Sequence, residues 1–151
     1  MKDQPIQELP DRAAIQNVRH RFAQALDYQD WDLLHNLFAP AVQADYSEYG
    51  LPVQTFTPEQ LVGIFRHAFS QPGLRTQHQC TNFRIEVAAN RATSVSNFTG
   101  HHFIPGFAGG EEFTLYAEYT DELTKTDGRW LLQGVRLKVF YTSGNPQILS
   151  R

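Results

Sequence analysis

The sequence predicts an α+β fold in which a curved antiparallel sheet and three helices enclose one buried pocket. Roughly the first half of the chain carries apolar side chains at helical spacing, and from residue 75 onward the pattern changes to alternation over four long segments. Helices followed by sequential hairpins are typical of α+β proteins, because a parallel sheet needs long crossover connections between its strands. Long twisted strands curl, so we expect the helices to cover the concave face and to leave a hollow in which a ligand binds.

The first helix is predicted to run from Asp11, which can serve as its N-cap, to about Asp27. Residues 1–10 are polar and contain two prolines, so they are predicted to form a loose arm. Spacing of three and four residues places the apolar side chains of this helix on one face. That face consists of Ile15, Val18, Phe22 and Leu26.

Two further helices are predicted before the sheet begins. Asp30 can cap a short second helix that Pro40 would end, and an extended segment over residues 42–46 follows it. The third helix begins after Thr57, because a proline occupies its first position and Gln60 completes a capping box.

Four long strands are predicted for the second half of the chain, over residues 75–88, 91–104, 111–124 and 129–142. In the last of them, the side chains expected to share one side are Leu131, Val135, Leu137, Val139 and Tyr141. No internal repeat or linker interrupts the pattern, so we expect a single domain over residues 1–151.

Composition argues against several classes of protein. The net charge is −3, from 13 Lys and Arg against 16 Asp and Glu, and no basic stripe is present, which argues against nucleic-acid binding. No run of about 18 apolar residues exists, which argues against insertion into a membrane. The N-terminus lacks the apolar stretch of a signal peptide and the lone Cys80 cannot form an internal disulfide, so we expect a cytoplasmic protein.

The residues that could carry chemistry are His, Asp and Tyr side chains on several elements. No phosphate-binding glycine loop, nucleophile elbow or zinc motif is present. His101 and His102 are adjacent in a strand and point to opposite faces, which argues against a shared metal ion and allows only one of them to face the hollow. Asp27 borders the apolar face of the first helix, where it either faces the hollow or forms a turn between two helices.

The position of His78 in its strand leaves its orientation open. Alternation places Phe83, Ile85 and Val87 on one side and His78 on the other, unless a bulge intervenes. A lone histidine in a strand is also commonly a surface residue or a hydrogen-bonded core residue.

Several short stretches resemble a known family. Leu-Asp at 26–27, Asp-Trp-Asp at 30–32 and Asp-Tyr at 45–46 are similar to the opening of scytalone dehydratase and its relatives. The run Leu-Arg-Thr-Gln-His at 74–78 resembles the dehydratase segment that holds a catalytic histidine, and Asp-Gly-Arg-Trp at 127–130 resembles the final hairpin. These proteins form part of the SnoaL-like branch of the nuclear transport factor 2 superfamily.

The resemblance spans about residues 12–140 and implies a cone-shaped, cystatin-like α+β barrel that assembles into a dimer or trimer. It implies a catalytic set of an Asp–His pair, a second histidine and a tyrosine, which here are Asp27, His78, His102 and Tyr46. In this interpretation Asp27 fixes the tautomer of His102 and stabilises its charged form. His101 remains the alternative to His102. The predicted pocket wall includes Tyr49, Phe65, Phe103 and Tyr119.

Such a set suits removal of a proton next to a carbonyl, followed by dehydration or isomerisation. The expected substrate is a small hydrophobic, cyclic or polyketide-like compound, and neither a cofactor nor a metal is required. Leu26 stands where the dehydratases have a tyrosine, and Ala117 and Tyr119 stand where they have Ser and Asn, so the substrate contacts differ.

Two other functions remain open at this point. Members of the superfamily also serve as non-catalytic small-molecule-binding or assembly modules. An epoxide hydrolase of the same fold would need two carboxylates beside an arginine in the pocket, and the sequence gives Asp27 no evident partners of that kind.

Overall fold

The computed structural model describes residues 6–150, which form a six-stranded sheet packed against three α-helices. The helices are α1 (Leu9–Tyr28), α2 (Trp31–His35) and α3 (Pro58–Ala68). The strands are β1 (Phe38–Asp45), β2 (Gln54–Phe56), β3 (Arg75–Ala88), β4 (Arg91–Phe103), β5 (Glu112–Thr126) and β6 (Arg129–Gly144). The predicted α+β class is confirmed, and the bounds of the four long strands agree with prediction to within two residues.

The start of the chain differs from its prediction. Residues 6–8 form a turn of 3-10 helix and α1 begins at Leu9, so the loose arm predicted over residues 1–10 is wrong for residues 6–10. Residues 1–5 lie outside the described part of the chain.

Asp11 is not the N-cap of α1 but lies in its first turn. Its Oδ1 accepts hydrogen bonds from Nζ of Lys125 and Nε1 of Trp130, each at 2.8 Å. These contacts tie the start of α1 to the hairpin between β5 and β6.

Two helix caps follow their predictions because both depend on local sequence. The Asp30 side chain accepts from the backbone N–H of Leu33 at 3.0 Å and caps α2. Thr57 and Gln60 form the reciprocal capping box at the start of α3. Pro40 does not end α2, which stops at His35; Pro40 lies within β1, in a stretch where the pairing of β1 with β6 changes register.

The strands are ordered β2-β1-β6-β5-β4-β3 in a curved open sheet. Consecutive long strands pair antiparallel, as predicted, but β1 pairs with β6 in parallel, so the sheet is mixed. β1 comes from the helical half of the chain and lies beside the last strand, β6.

Register shifts in β6 change which of its side chains face the helices. The pairing of β6 with β5 shifts register next to Glu122 and next to Tyr116, both of which belong to β5. In the part of β6 between these two shifts, Val135, Leu137 and Val139 face inward. Tyr141 lies on the outer face, where its ring stacks on Tyr116 with centroids 4.4 Å apart. The prediction that Leu131 and Tyr141 share a side with these three residues is therefore wrong.

The core lies between the inner face of the sheet and the helices. Alternate residues of β4 and β5 are buried there against α1 and α3. None of the helices formed by residues 6–150 is long and apolar enough to cross a lipid bilayer.

Candidate active site

A cavity of about 920 Å³ lies between α3 and the inner face of the sheet. Its wall is mainly aromatic and aliphatic. Its buried polar side chains are Tyr46, which directly follows β1, His78 of β3, His102 of β4 and Tyr119 of β5. The exposed residues Glu48, Tyr49, His67 and Thr142 and the half-buried Ser150 also line it. A mostly apolar hollow with a few convergent polar groups is the usual form of a small-molecule site.

Asp27 and His78 form a hydrogen-bonded pair in which His78 lines the cavity and Asp27 does not. Oδ1 of Asp27 lies 2.7 Å from Nδ1 of His78, and the His78 side chain is 1% exposed. The backbone N–H of His78 also donates to Oδ2 of Asp27 at 3.0 Å, and the hydroxyl of Thr76 donates to Oδ1 at 2.9 Å. A carboxylate only accepts hydrogen bonds, so Nδ1 of His78 carries the proton of this contact, and the lone pair of the neutral imidazole is on Nε2.

A β-bulge brings His78 to the inner face of the sheet. The pairing of β3 with β4 shifts register between Thr81 and Arg84, and Asn82 adopts a left-handed backbone with φ of 55°. The extra residue reverses the alternation of β3, so both His78 and Ile85 are buried on the same side.

His102 faces the cavity and His101 is exposed, which answers the question that the sequence left open. Nδ1 of His102 donates to the carbonyl of Phe113 at 3.0 Å, because a carbonyl oxygen only accepts. Burial, reinforced by the neighbouring His78, lowers the pKa of His102 to about 4. The ring is therefore neutral near pH 7 and presents Nε2 as an acceptor.

The prediction that Asp27 fixes the tautomer of His102 is therefore wrong. The hydrogen bonds of Asp27 go to Thr76 and His78 on β3, and the carbonyl of Phe113 fixes the His102 tautomer.

The two imidazoles meet edge to face next to Gly100, with ring centroids 5.2 Å apart and an angle of 79° between the ring planes. A Cβ atom at Gly100 would lie 2.9 Å from Cδ2 of His78 and 3.0 Å from Cε1 of His102. Phe98 stacks on His78 and Phe69 stacks on His102, at 5.2 and 5.7 Å. The rings are thus fixed between aromatic neighbours, and only a glycine at position 100 leaves them room.

Tyr46 and Tyr119 form a second polar group in the cavity wall. Their hydroxyl oxygens are 3.2 Å apart. Burial raises the pKa of Tyr46 to about 12, against the opposing charge of Arg19, and raises the pKa of Tyr119 well above its ordinary value. Both phenols therefore stay protonated, and because they share one hydrogen bond the pair has a proton left to donate into the cavity.

The predicted wall residues divide into those that line the cavity and one that does not. Phe65 packs edge-on against Tyr46 with centroids 5.8 Å apart, and Tyr49, 45% exposed, lies at the mouth. Phe103 does not line the cavity, because it follows His102 in β4 and its side chain lies on the other face.

Sequence reasoning missed several rings of the cavity wall. Phe98 shares the inner face of β4 with His102, so strand alternation from His102 could have identified it. Phe69 follows the apolar face of α3, and Phe113 shares the inner face of β5 with Tyr119, so alternation from Tyr119 could have identified it. Within residues 6–150, no group of three or more His, Cys, Asp or Glu side chains is placed to hold a metal ion.

A family model described as a SnoaL-like domain matches residues 7–136. The chain belongs to the SnoaL-like domain family. No curated protein matches the chain significantly.

Solved structures share the SnoaL-like fold of this chain at low sequence identity. The Kfla4162 protein of Kribbella flavida is 23% identical with a TM-score of 0.83, and the match covers 92% of this chain and 96% of that chain. A hexachlorocyclohexane dehydrochlorinase, LinA type 2, is 19% identical with a TM-score of 0.74, covering 93% and 92%. A provisionally assigned scytalone dehydratase from Novosphingobium aromaticivorans is 21% identical with a TM-score of 0.74, covering 91% and 89%. Identities this low establish the fold alone.

Proposed function

We propose that this SnoaL-like protein is a cofactor-free lyase or isomerase that removes a proton next to the carbonyl group of a small, uncharged, cyclic compound. The observation that carries the proposal is the contact between Asp27 and His78. It leaves Nε2 of a nearly solvent-inaccessible imidazole as a base at the cavity wall.

His78 is the base in the first step. Its Nε2 takes the proton from the carbon, the electron pair of the broken C–H bond forms the enolate, and the resulting imidazolium is stabilised by the carboxylate of Asp27. Asp27 has no contact with the substrate in this scheme. It orients the imidazole of His78 and offsets the positive charge of the imidazolium, as the carboxylate does in other carboxylate–histidine pairs.

The phenols of Tyr46 and Tyr119 receive the negative charge that develops on the carbonyl oxygen. Buried donors that are already positioned stabilise such a charge without reorganisation, and this is commonly the largest contribution to rate. The apolar wall around them excludes water and strengthens that interaction.

The second step returns the proton from the imidazolium of His78. Delivered to a β-hydroxyl, the proton leaves with that oxygen as water while the enolate collapses to an unsaturated carbonyl compound. Delivered to another carbon of the enolate, it completes an isomerisation. His102 is neutral near pH 7, so in this scheme it accepts a hydrogen bond from the substrate and does not supply the proton.

The character of the cavity supports an uncharged ring-containing substrate. The charges near the cavity each have a protein partner: Asp27 pairs with His78, the buried Arg19 with Asp121, and the carboxylate of Glu48, which lines the cavity, accepts from the backbone N–H of Val139. Phe98 contacts both His78 and Tyr119, so the wall next to the imidazoles and the phenols is aromatic. Two of the similar structures carry names that denote eliminations, a dehydrochlorinase and a dehydratase, which agrees with a lyase.

The test is proton exchange, which can be followed without identifying the product. The protein is incubated in D₂O with a panel of cyclic ketones, and the loss of each α-proton signal is followed by NMR. We expect catalysed exchange for members that fit the cavity, and a decrease of roughly 100-fold or more in His78→Ala. His101→Ala is the matched control and should exchange at the wild-type rate, because that imidazole is exposed on the other face of β4. Exchange in His78→Ala at the wild-type rate would contradict the proposal.

A further inference from the structure

A buried ion pair lies behind the two phenols. Nε of Arg19 donates to Oδ2 of Asp121 at 3.0 Å, Nη2 donates to Oδ1, and both side chains are 1% exposed. Removing two charges from water is costly, and an apolar pair of similar volume often stabilises a core equally well. Stability therefore gives little reason for an ion pair at this position.

The guanidinium of Arg19 is in direct contact with the phenol pair. Its Cζ lies 3.8 Å from the ring centroid of Tyr119 and 4.3 Å from that of Phe22. The hydroxyl of the same Tyr119 lies 3.2 Å from that of Tyr46. A cation over the face of a phenol interacts with its π-electrons and favours negative charge on or beside the hydroxyl oxygen.

Within residues 6–150, one guanidinium nitrogen of Arg19 is left without a hydrogen-bond partner. Among the described residues, Nη1 of Arg19 and the hydroxyls of Ser94 and Ser96 are buried without a hydrogen-bond partner. Ser94 pairs across the strands with Asp121, and Ser96 pairs with Tyr119. The guanidinium lies against the Tyr119 ring, and its effect in lowering the pKa of Tyr46 exceeds the opposite effect of Asp121, so the ion pair makes the surroundings of the phenols more electropositive.

This group is distinct from the proposed base. Phe98 contacts both, with its ring centroid 5.2 Å from that of His78 and 4.9 Å from that of Tyr119. The proposed base and the phenol pair thus share one aromatic neighbour, and all of these side chains line the same cavity.

We propose that Arg19, held by Asp121, is a positioning residue that makes the Tyr46–Tyr119 hydroxyl pair a binding site for an anionic oxygen of the phenolate or enolate class. The enolate part rests on the proposed function, whereas binding of a phenolate does not. Arg19 itself has no contact with the ligand: it packs behind Tyr119 and acts through that ring.

The test uses two ligands that differ by one methyl group. The visible absorbance of 4-nitrophenol distinguishes phenol from phenolate, and 4-nitroanisole has the same ring without an ionisable oxygen. Both are titrated into the full chain at a single pH at which free nitrophenol is partly ionised. We expect the bound nitrophenol to be more ionised than the free ligand, and Tyr119→Phe and Tyr46→Phe to reduce this preference.

The variant that removes the charge is the double substitution Arg19→Met with Asp121→Leu, because either single change would leave a buried charge unpaired. We expect its affinity for the phenolate to fall by about tenfold, whereas its affinity for nitroanisole stays within about twofold. Arg19→Lys retains a cation next to Asp121 and should keep most of the phenolate preference.

Two results would overturn the proposal. One is phenolate affinity in the double variant equal to that of the wild-type protein. The other is an equal fall for phenolate and nitroanisole, since that would give Arg19 a packing role alone. A protein that binds phenolate in an Arg19-dependent way but exchanges no ketone proton would contradict the proposed function and leave this inference standing.

Discussion

The carboxylate of Asp27 lies 2.7 Å from Nδ1 of His78, although 51 positions separate the two residues in the chain. The contact joins the C-terminal turn of α1 to the start of β3, and the hydroxyl of Thr76 and the backbone N–H of His78 complete it. These donors explain why a carboxylate is accommodated at the C-terminal end of a helix, where the helix dipole disfavours negative charge. The same carboxylate thereby holds the end of α1 and orients the proposed base.

Replacing Asp27 with Asn should lower the free energy of unfolding by about 1–3 kcal/mol, because an amide oxygen is a weaker acceptor than a carboxylate for three donors. Thr76→Val is the matched control: it removes one neutral donor and should cost about 1 kcal/mol. Urea denaturation followed by circular dichroism measures both. Equal stability of Asp27→Asn and the wild-type protein would contradict a structural role for this contact.

Acid should destabilise the protein partly through His102. Burial lowers the pKa of this imidazole from 6.5 to about 4, so between these values the unfolded chain binds a proton that the native protein does not. The contribution of the neutral His102 to the free energy of unfolding is therefore fully present above pH 6.5. It is lost as the pH falls to 4, by about 3 kcal/mol in total.

The comparison of wild type with His102→Gln isolates this contribution, because glutamine keeps a donor for the Phe113 carbonyl without titrating. We expect the difference in unfolding free energy between the two proteins to change between pH 6.5 and pH 4. In His101→Gln, the exposed control, the pH dependence should stay as in the wild-type protein. A pH-independent difference for His102→Gln would mean that the imidazole is not buried in its neutral form.

Gly100→Ala should displace the imidazoles of His78 and His102, since the new Cβ would lie within 3.0 Å of both rings. We expect a loss of stability of about 1–3 kcal/mol, together with slower proton exchange. Gly63→Ala in α3 is the matched control: nothing lies within 4 Å of its Cβ position, and removing a helical glycine should stabilise the protein by about 0.5–1 kcal/mol. A crystal structure of Gly100→Ala with both rings unmoved would contradict this account.

Asp121→Asn should be the most destabilising single change considered, at about 3–5 kcal/mol, because it leaves the charge of Arg19 buried without a counter-charge. Asp127→Asn is the control with the same chemistry. Asp127 is exposed in the β5–β6 turn at a φ of 51°, which asparagine tolerates. The free energy of unfolding of the Asp127→Asn variant should therefore differ from that of the wild-type protein by less than about 0.5 kcal/mol. Thermal unfolding of both variants measures the difference, and a similar midpoint for both would contradict the burial of an ionised pair.

The parts of the fold that depend on local patterns could be predicted from the sequence. The capping box at Thr57 and Gln60 and the bounds of the long strands follow from neighbouring residues. β2 could not be predicted in this way, because its three residues pair with β1 and carry no periodic pattern of their own.

Which residues line the cavity could be predicted better than which contacts they make. The direction of His78 depends on a bulge at Asn82, which tertiary pairing selects, and the partner of Asp27 depends on how α1 meets β3. The ion pair of Arg19 with Asp121 joins positions 102 residues apart, and an arginine within an apolar helix face gives no sequence signal of its partner.

The most direct test of the account is a double-mutant cycle on proton exchange, with the cyclic ketone that exchanges fastest. The variants are Asp27→Asn, His78→Gln and the two combined. If the two side chains act as one unit, the combined variant should exchange as slowly as His78→Gln alone, because Asp27 has no function without its imidazole. Effects that multiply in the combined variant, or a wild-type rate in His78→Gln, would contradict the assignment of His78, oriented by Asp27, as the base.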